Sequence, residues 1–145
     1  MQTVRGLLRG KGSQVYSISP EASVYDALKI MAEKGVGALV VLTREGELAG
    51  IVSERDYARK VEVLGKTARE TSVREIMTER VVCVRPDQTV EECMALMTNK
   101  RIRHLPVIEG NTLTGIISIG DVVKAIISEQ EFMIEQLENY IAGTR

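Results

Sequence analysis

The sequence predicts an α+β fold in which one β-α-β-β-α unit is used twice and a C-terminal helix follows. Three observations predict it: an internal repeat offset by 66 residues, matching changes of apolar period in both copies, and a final stretch, residues 121–142, without Gly or Pro. Laid over residues 81–108, residues 15–42 align Pro20 with Pro86, Val24 with Val90, Met31 with Met97, Lys34 with Lys100, Leu39 with Leu105 and Val41 with Val107. After a one-residue deletion in the connecting turn, residues 48–56 fall on 113–121. The match extends upstream, where residues 3–8 resemble 72–77, each a capping Ser or Thr before a short apolar turn of helix.

Each element of the unit follows from its own pattern. Residues 15–19 alternate in polarity and stop at Pro20, a short strand. Residues 21–34 carry Val24, Ala27, Leu28 and Met31 at the spacing of an amphipathic helix. Residues 36–42 are continuously apolar, the mark of a strand buried on both faces; 44–47 form a hairpin turn, and 48–52 the return strand. Ser53-Glu54-Arg55-Asp56 then opens a second helix. The expected partition is repeat 1 with its N-terminal lead-in (1–62), a polar linker containing Gly65 (63–72), repeat 2 (73–128) and the C-terminal helix (129–145). Units of about 60 residues are marginal alone, so the two are expected to pack as a pseudo-symmetric pair.

Composition excludes several function classes. Nineteen Lys+Arg against 20 Asp+Glu give a net charge of −1, too little positive charge for a general nucleic-acid or anionic-membrane binder. Four Tyr, one Phe and no Trp leave almost nothing on which to stack single-stranded bases. Cys83, Cys93 and the one histidine, His104, match no zinc spacing, so the thiols are expected to serve as small apolar residues and no metal is expected. No secretory signal and no apolar run near ~18 residues is visible, which makes the cytoplasm the default location. No nucleophile elbow, phosphate-binding glycine loop or HExxH motif is present either, and the expectation is a protein without catalytic residues or a catalytic cofactor.

Two segments, Gly50-Ile51-Val52-Ser53-Glu54-Arg55-Asp56 and Gly115-Ile116-Ile117-Ser118-Ile119-Gly120-Asp121, occupy equivalent places in the repeat. Each resembles the G-h-x-[S/T]-x-x-[D/N] signature of cystathionine-β-synthase (CBS) domains. The chain as a whole, about residues 4–128, is similar to a tandem pair of CBS repeats, a Bateman module. That resemblance implies a regulatory module binding adenosine nucleotides in clefts between the repeats: AMP first, with ADP, ATP or NAD as further candidates. It implies that Asp56 and Asp121 accept hydrogen bonds from the ribose hydroxyls. Ser53, Arg55, Ser118, Arg103 and His104 would meet phosphate, a task to which a helix N-terminus is also suited. Val36, Ile51, Ile102 and Ile116 would wall the adenine, with Ser17 and Cys83 at its rim. Read without the resemblance, Ser and Asp at this spacing are simply good helix caps, and the aliphatic residues are core. The alternative function is a non-catalytic interaction module with vestigial clefts, or one that takes another adenosyl ligand such as S-adenosylmethionine. Its cationic sulfonium fits poorly beside Arg55 and Arg103.

Beyond the second repeat, Phe132, Met133, Gln136, Leu137, Tyr140 and Ile141 form one helical stripe. Two uses are open to it: packing on its own module, or a homodimer contact of the kind CBS pairs commonly make. With no output domain visible in 145 residues, a signal would pass to an unidentified partner protein.

Overall fold

The computed structural model describes residues 2–143. They form two compact units, one of residues 14–82 and one in which residues 2–13 join 83–143. The lead-in segment, which sequence continuity attaches to repeat 1, therefore packs in the unit of repeat 2, and residues 63–82 pack in the unit of repeat 1. Backbone donors explain the arrangement. The first amides of a helix have no partner within it, and α1 (Val4–Lys11) satisfies two of them on repeat 2, Val4 N–H on the Gln88 carbonyl and Arg5 N–H on that of Pro86, both at 2.9 Å. The matching helix α4 (Val73–Ile76) donates from Val73 to Ala22 at 2.8 Å and from Arg74 to Pro20 at 2.9 Å. Val4, Leu7, Val73 and Ile76 are buried in their respective units.

In the unit of residues 14–82, β1 (Ser17–Ile18) pairs in parallel with β2 (Ala38–Leu42), which pairs antiparallel with β3 (Leu48–Ser53). Helix α2 (Val24–Lys34) starts at Ser23, whose side chain accepts from the Asp26 amide, and ends at Gly35 in the left-handed conformation (φ 66°). It lays Val24, Ala27 and Met31 on a core that includes Leu39, Val41, Val52 and Ile76. Helix α3 (Glu54–Tyr57) runs on into a π-helical turn, Ala58–Glu62. The stretch expected as a linker is ordered locally: a 3-10 turn covers Ala68–Glu70, and buried Thr71 bonds the Thr67 carbonyl at 2.7 Å.

The other unit contains α5 (Val90–Lys100), the hairpin of β4 (His104–Glu109) and β5 (Thr112–Ser118), and α6 (Ile119–Ile141). Its first strand departs from expectation and takes the form of an isolated parallel bridge between Val84 and Val107. The repeat supplies the reason. Val40 donates its amide to the Tyr16 carbonyl in the first copy at 3.2 Å, and the residue matching Val40 is Pro106, which has no N–H to give. Buried Val84, Val90, Met97, Leu105, Val107, Ile117 and Val122 form its interior. Helix α6 is continuous for 23 residues, yet Val122 is its one buried residue. Phe132, Met133, Leu137, Tyr140 and Ile141 of the expected stripe, and Ile134 beside them, are all more than half exposed, so that stripe does not pack on the chain's own module.

Candidate functional site

Each signature segment ends a strand and begins a helix. Ser53 caps α3: its side chain accepts from the Asp56 amide at 3.2 Å, while Asp56 Oδ2 accepts from the Ser53 amide at 2.9 Å and the Ser53 hydroxyl at 3.1 Å. Ser118 caps α6 in the same way, accepting from the Asp121 amide at 3.1 Å and giving its own amide to Asp121 Oδ2 at 2.8 Å. The seven-residue motif is thus a reciprocal capping box in both units. Glycine opens the motif because the chain is crowded there. A Cβ on Gly50 would stand 2.7 Å from the Thr78 carbonyl oxygen, and one on Gly115 2.9 Å from Leu8 Cδ1.

Neither motif aspartate stands alone. Lys60 Nζ lies 3.1 Å from Asp56 Oδ1 and donates to the Ile76 carbonyl at 2.8 Å. Lys11 Nζ lies 2.7 Å from Asp121 Oδ2 and donates to the Ile116 carbonyl at 2.9 Å. Burial works against the charge on Asp121, but the Lys11 and Ser118 hydrogen bonds outweigh it and hold the carboxyl below its usual range. Both lysines escaped the sequence reading. Lys11 is 110 residues from its partner, and only the position of α1 in the second unit brings them together. Lys60 carried a detectable signal, since a cation four residues after a helical carboxylate faces it.

The expected phosphate residues of the second unit gather at the start of α6. His104 pairs with Ser118 across the hairpin, and Ile119 donates its amide to the Arg103 carbonyl at 2.8 Å. Arg103 is exposed just before β4, while His104 is half-buried as its first residue. Burial first, then the nearby Lys11 and Arg103 charges, push the His104 pKa down, with Asp121 opposing. In the first unit the same backbone bond joins Glu54 to the Gly37 carbonyl at 3.0 Å, and Arg55 is exposed on α3. Gly37 and Ala38 stand where the second copy has Arg103 and His104. Arg55 in turn has Gly120 as its counterpart, so the two motifs draw their basic neighbours from different positions.

The expected adenine residues are less uniform in placement. Ile51 lies on β3 between Val40 and the Thr78 bridge, and Ile116 lies on β5 opposite Pro106. Val36 and Ile102 follow the left-handed C-caps Gly35 and Arg101 and precede their strands, all four side chains being half-buried. Ser17 is exposed on β1, and Cys83 is half-buried before Val84. Burial raises the pKa of the Cys83 thiol and pushes that of buried Cys93 up to about 11, so both are poor nucleophiles at neutral pH. Among the described residues no three His, Cys, Asp or Glu side chains are grouped to hold a metal ion, and no helix is long and apolar enough to cross a membrane.

Comparison with known proteins agrees with this geometry. The CBS domain family model matches residues 12–63 and again 73–128. The chain is 41% identical to the mitochondrial CBS domain-containing protein CBSX3 of Arabidopsis thaliana, over 97% of this chain and 72% of that one. Among solved structures it resembles a putative signal-transduction protein with CBS domains from Burkholderia ambifaria, at 50% identity and a TM-score of 0.85 over 89% of this chain and 96% of that one. A hexameric CBS-CP12 protein from bloom-forming cyanobacteria follows at 37% identity and a TM-score of 0.77, over 85% and 70%. The doubled signature, the helix, hairpin and motif helix found in both units, and these matches agree: the chain belongs to the CBS domain family and carries two of its repeats.

Proposed function

We propose that this CBS pair is a non-catalytic sensory module that binds adenosine nucleotides, AMP first, at its Ser53/Asp56 and Ser118/Asp121 motifs. The observation that carries this reading is the grouping of Ser118, Asp121, Arg103 and His104 at the N-terminal end of a 23-residue helix. A ribose offers two hydroxyl donors to a carboxylate, and an adjoining phosphate suits the helix dipole and a bidentate Arg. The first-unit motif has the same capping box but Gly37 and Ala38 at the places of Arg103 and His104, so we take it as the weaker phosphate site. Binding signals to a partner protein only if the ligand prefers one conformation of the module. The exposed α6 stripe serves a homodimer. The relative from Burkholderia ambifaria, described as a putative signal-transduction protein, and the hexameric cyanobacterial protein support signalling and self-association as family habits.

Calorimetric titration with AMP, ATP, NAD and S-adenosylmethionine tests the reading on the wild type and on Asp56→Ala and Asp121→Ala. AMP binding is expected, with loss of the stronger site in Asp121→Ala. Binding that survives both substitutions overturns the ribose assignment. A second reading, an interaction module whose motifs serve only as caps, is favoured by the engagement of both aspartates with serine and lysine. Absence of binding by all four compounds selects it.

A further inference from the structure

Both motif carboxylates hold a lysine, and the duplication does not explain why. Counted through the repeat, the residue matching Lys60 is Ala125, and the one matching Lys11 is Arg80. Two unrelated positions thus deliver an ammonium to the same place. Each ammonium also bonds one backbone carbonyl, and in both units it ties the motif to the helix that leads the other repeat. Lys11 belongs to α1 and reaches to Asp121 and Ile116; Lys60 belongs to the motif helix region and reaches to Ile76 at the end of α4.

We propose that Lys11 and Lys60 compete with a bound ribose for the motif aspartates and pass its arrival to the leading helices α1 and α4. The inference rests on the adenosine-nucleotide reading above. A carboxylate has room for about four hydrogen bonds, and Asp56 already accepts from the Ser53 amide, the Ser53 hydroxyl and Lys60. Two ribose hydroxyls therefore need the place that the Lys60 ammonium takes; on Asp121, Oδ2 already accepts from the Ser118 amide and from Lys11, so a ribose that gives one hydroxyl to each oxygen meets the Lys11 ammonium there. The exchange is inexpensive because the ion pairs are partly open to water: side-chain exposures are 33% and 24% for Lys11 and Asp121, and 44% and 15% for Lys60 and Asp56. A displaced ammonium can turn to the ligand's phosphate, whereas adenosine offers it no such partner. Lys11 also tethers the last turn of α1, and the chain continues from there into the unit of residues 14–82. Release at Asp121 thereby reaches the segment that joins the units.

The test compares wild type, Lys11→Met and Lys11→Arg by titration with adenosine and with AMP, and by amide hydrogen exchange over α1. Removing the competitor is expected to tighten adenosine binding roughly two- to fivefold in Lys11→Met, while the gain from adding a phosphate shrinks. Lys11→Arg keeps the cation and behaves as wild type. Adenosine speeds α1 exchange in the wild type; Lys11→Met shows the faster exchange already without ligand. Adenosine binding by Lys11→Met alone also supports competition. Wild-type binding with no gain in Lys11→Met, or with unchanged α1 exchange, overturns this inference and leaves the nucleotide reading standing. No binding of either probe to any of the three proteins overturns both.

Discussion

Gly50 and Thr78 approach so closely that a Cβ on the glycine would meet the Thr78 carbonyl oxygen at 2.7 Å, and the two strips of backbone are also joined by hydrogen bonds between Ile51 and Thr78 in both directions. The equivalent glycine, Gly115, faces the far end of the Leu8 side chain instead. Backbone on both sides has nowhere to go, whereas a leucine can change rotamer. Gly50→Ala is therefore expected to cost about 2–3 kcal/mol and Gly115→Ala about 1 kcal/mol, in keeping with the range for overpacking a tight site. Urea midpoints of the two variants check this ordering, and a Gly115→Ala loss equal to or above that of Gly50→Ala would refute it.

Ser118 and Asp121 should reveal their capping role in stability measurements made without ligand. Ser118→Ala removes the acceptor for the Asp121 amide and is expected to lose about 1 kcal/mol, most of which Ser118→Asn restores. Asp121 adds an acid limb. Its carboxyl is held below the ordinary 3.8, so its stabilisation is complete above that pH and is lost as pH falls through the depressed value. Asp121→Asn should lower stability at pH 7 and converge on the wild type at low pH. Parallel curves across that range would mean that the Lys11 and Ser118 bonds do not favour the charged form.

His104 is the one histidine in the chain, so a single ring resonance reports it. Its pKa is pushed below 6.5, chiefly by burial and then by Lys11 and Arg103, while Asp121 pulls the other way. A histidine that resists protonation when folded stabilises the fold fully above 6.5, and that contribution falls away as pH drops from there toward the folded pKa. Between pH 7 and 5 the wild type should lose stability more steeply than His104→Gln. In the ring titration, Lys11→Met should move the pKa upward by removing one of the opposing charges. A bound AMP should do the same through its phosphate. A His104 pKa at or above 6.5 in the free protein would contradict the placement of the ring.

The repeat, the helices and the hairpins were legible in the sequence because they are written in local periodicity and in a match between two stretches of one chain. Boundaries shifted where a cap decided them: the first long helix begins after Ser23 rather than at Glu21, and β2 begins at Ala38 once Gly35 has turned the chain. What stayed hidden depends on which unit a segment joins. Thr3 and Ser72 both read as caps, yet no local pattern says that α1 sits on the second repeat and α4 on the first. Lys11 was invisible as a site residue for that reason. The loss of the second copy's first strand was legible in principle, since Pro106 removes one donor, but it requires knowing which amide the first copy uses.

A second apolar face of α6, sharing Leu137 and Ile141 with the stripe of Phe132 and Tyr140, makes the last prediction. Ile127, Ile134 and Ile141 recur every seven residues, with Val123 and Leu137 on the adjoining row and Gln130 interrupting it. Ile on one row and Leu on the other is the pattern of a two-stranded helical seam, and a single polar residue in such a row fixes register at a cost in stability. All five apolar residues are exposed in the single chain, Val123 at 39% and Ile141 at 83%, so a second copy would bury them without disturbing the interior. The double variant Ile134→Glu, Leu137→Glu is expected to convert a dimer into a monomer in sedimentation equilibrium, because four carboxylates would face one another across a paired seam. Its own fold should change by no more than about 0.5 kcal/mol, the usual range for exposed positions. A variant that stays dimeric, or a wild type that is monomeric at the same concentration, would remove α6 as the contact.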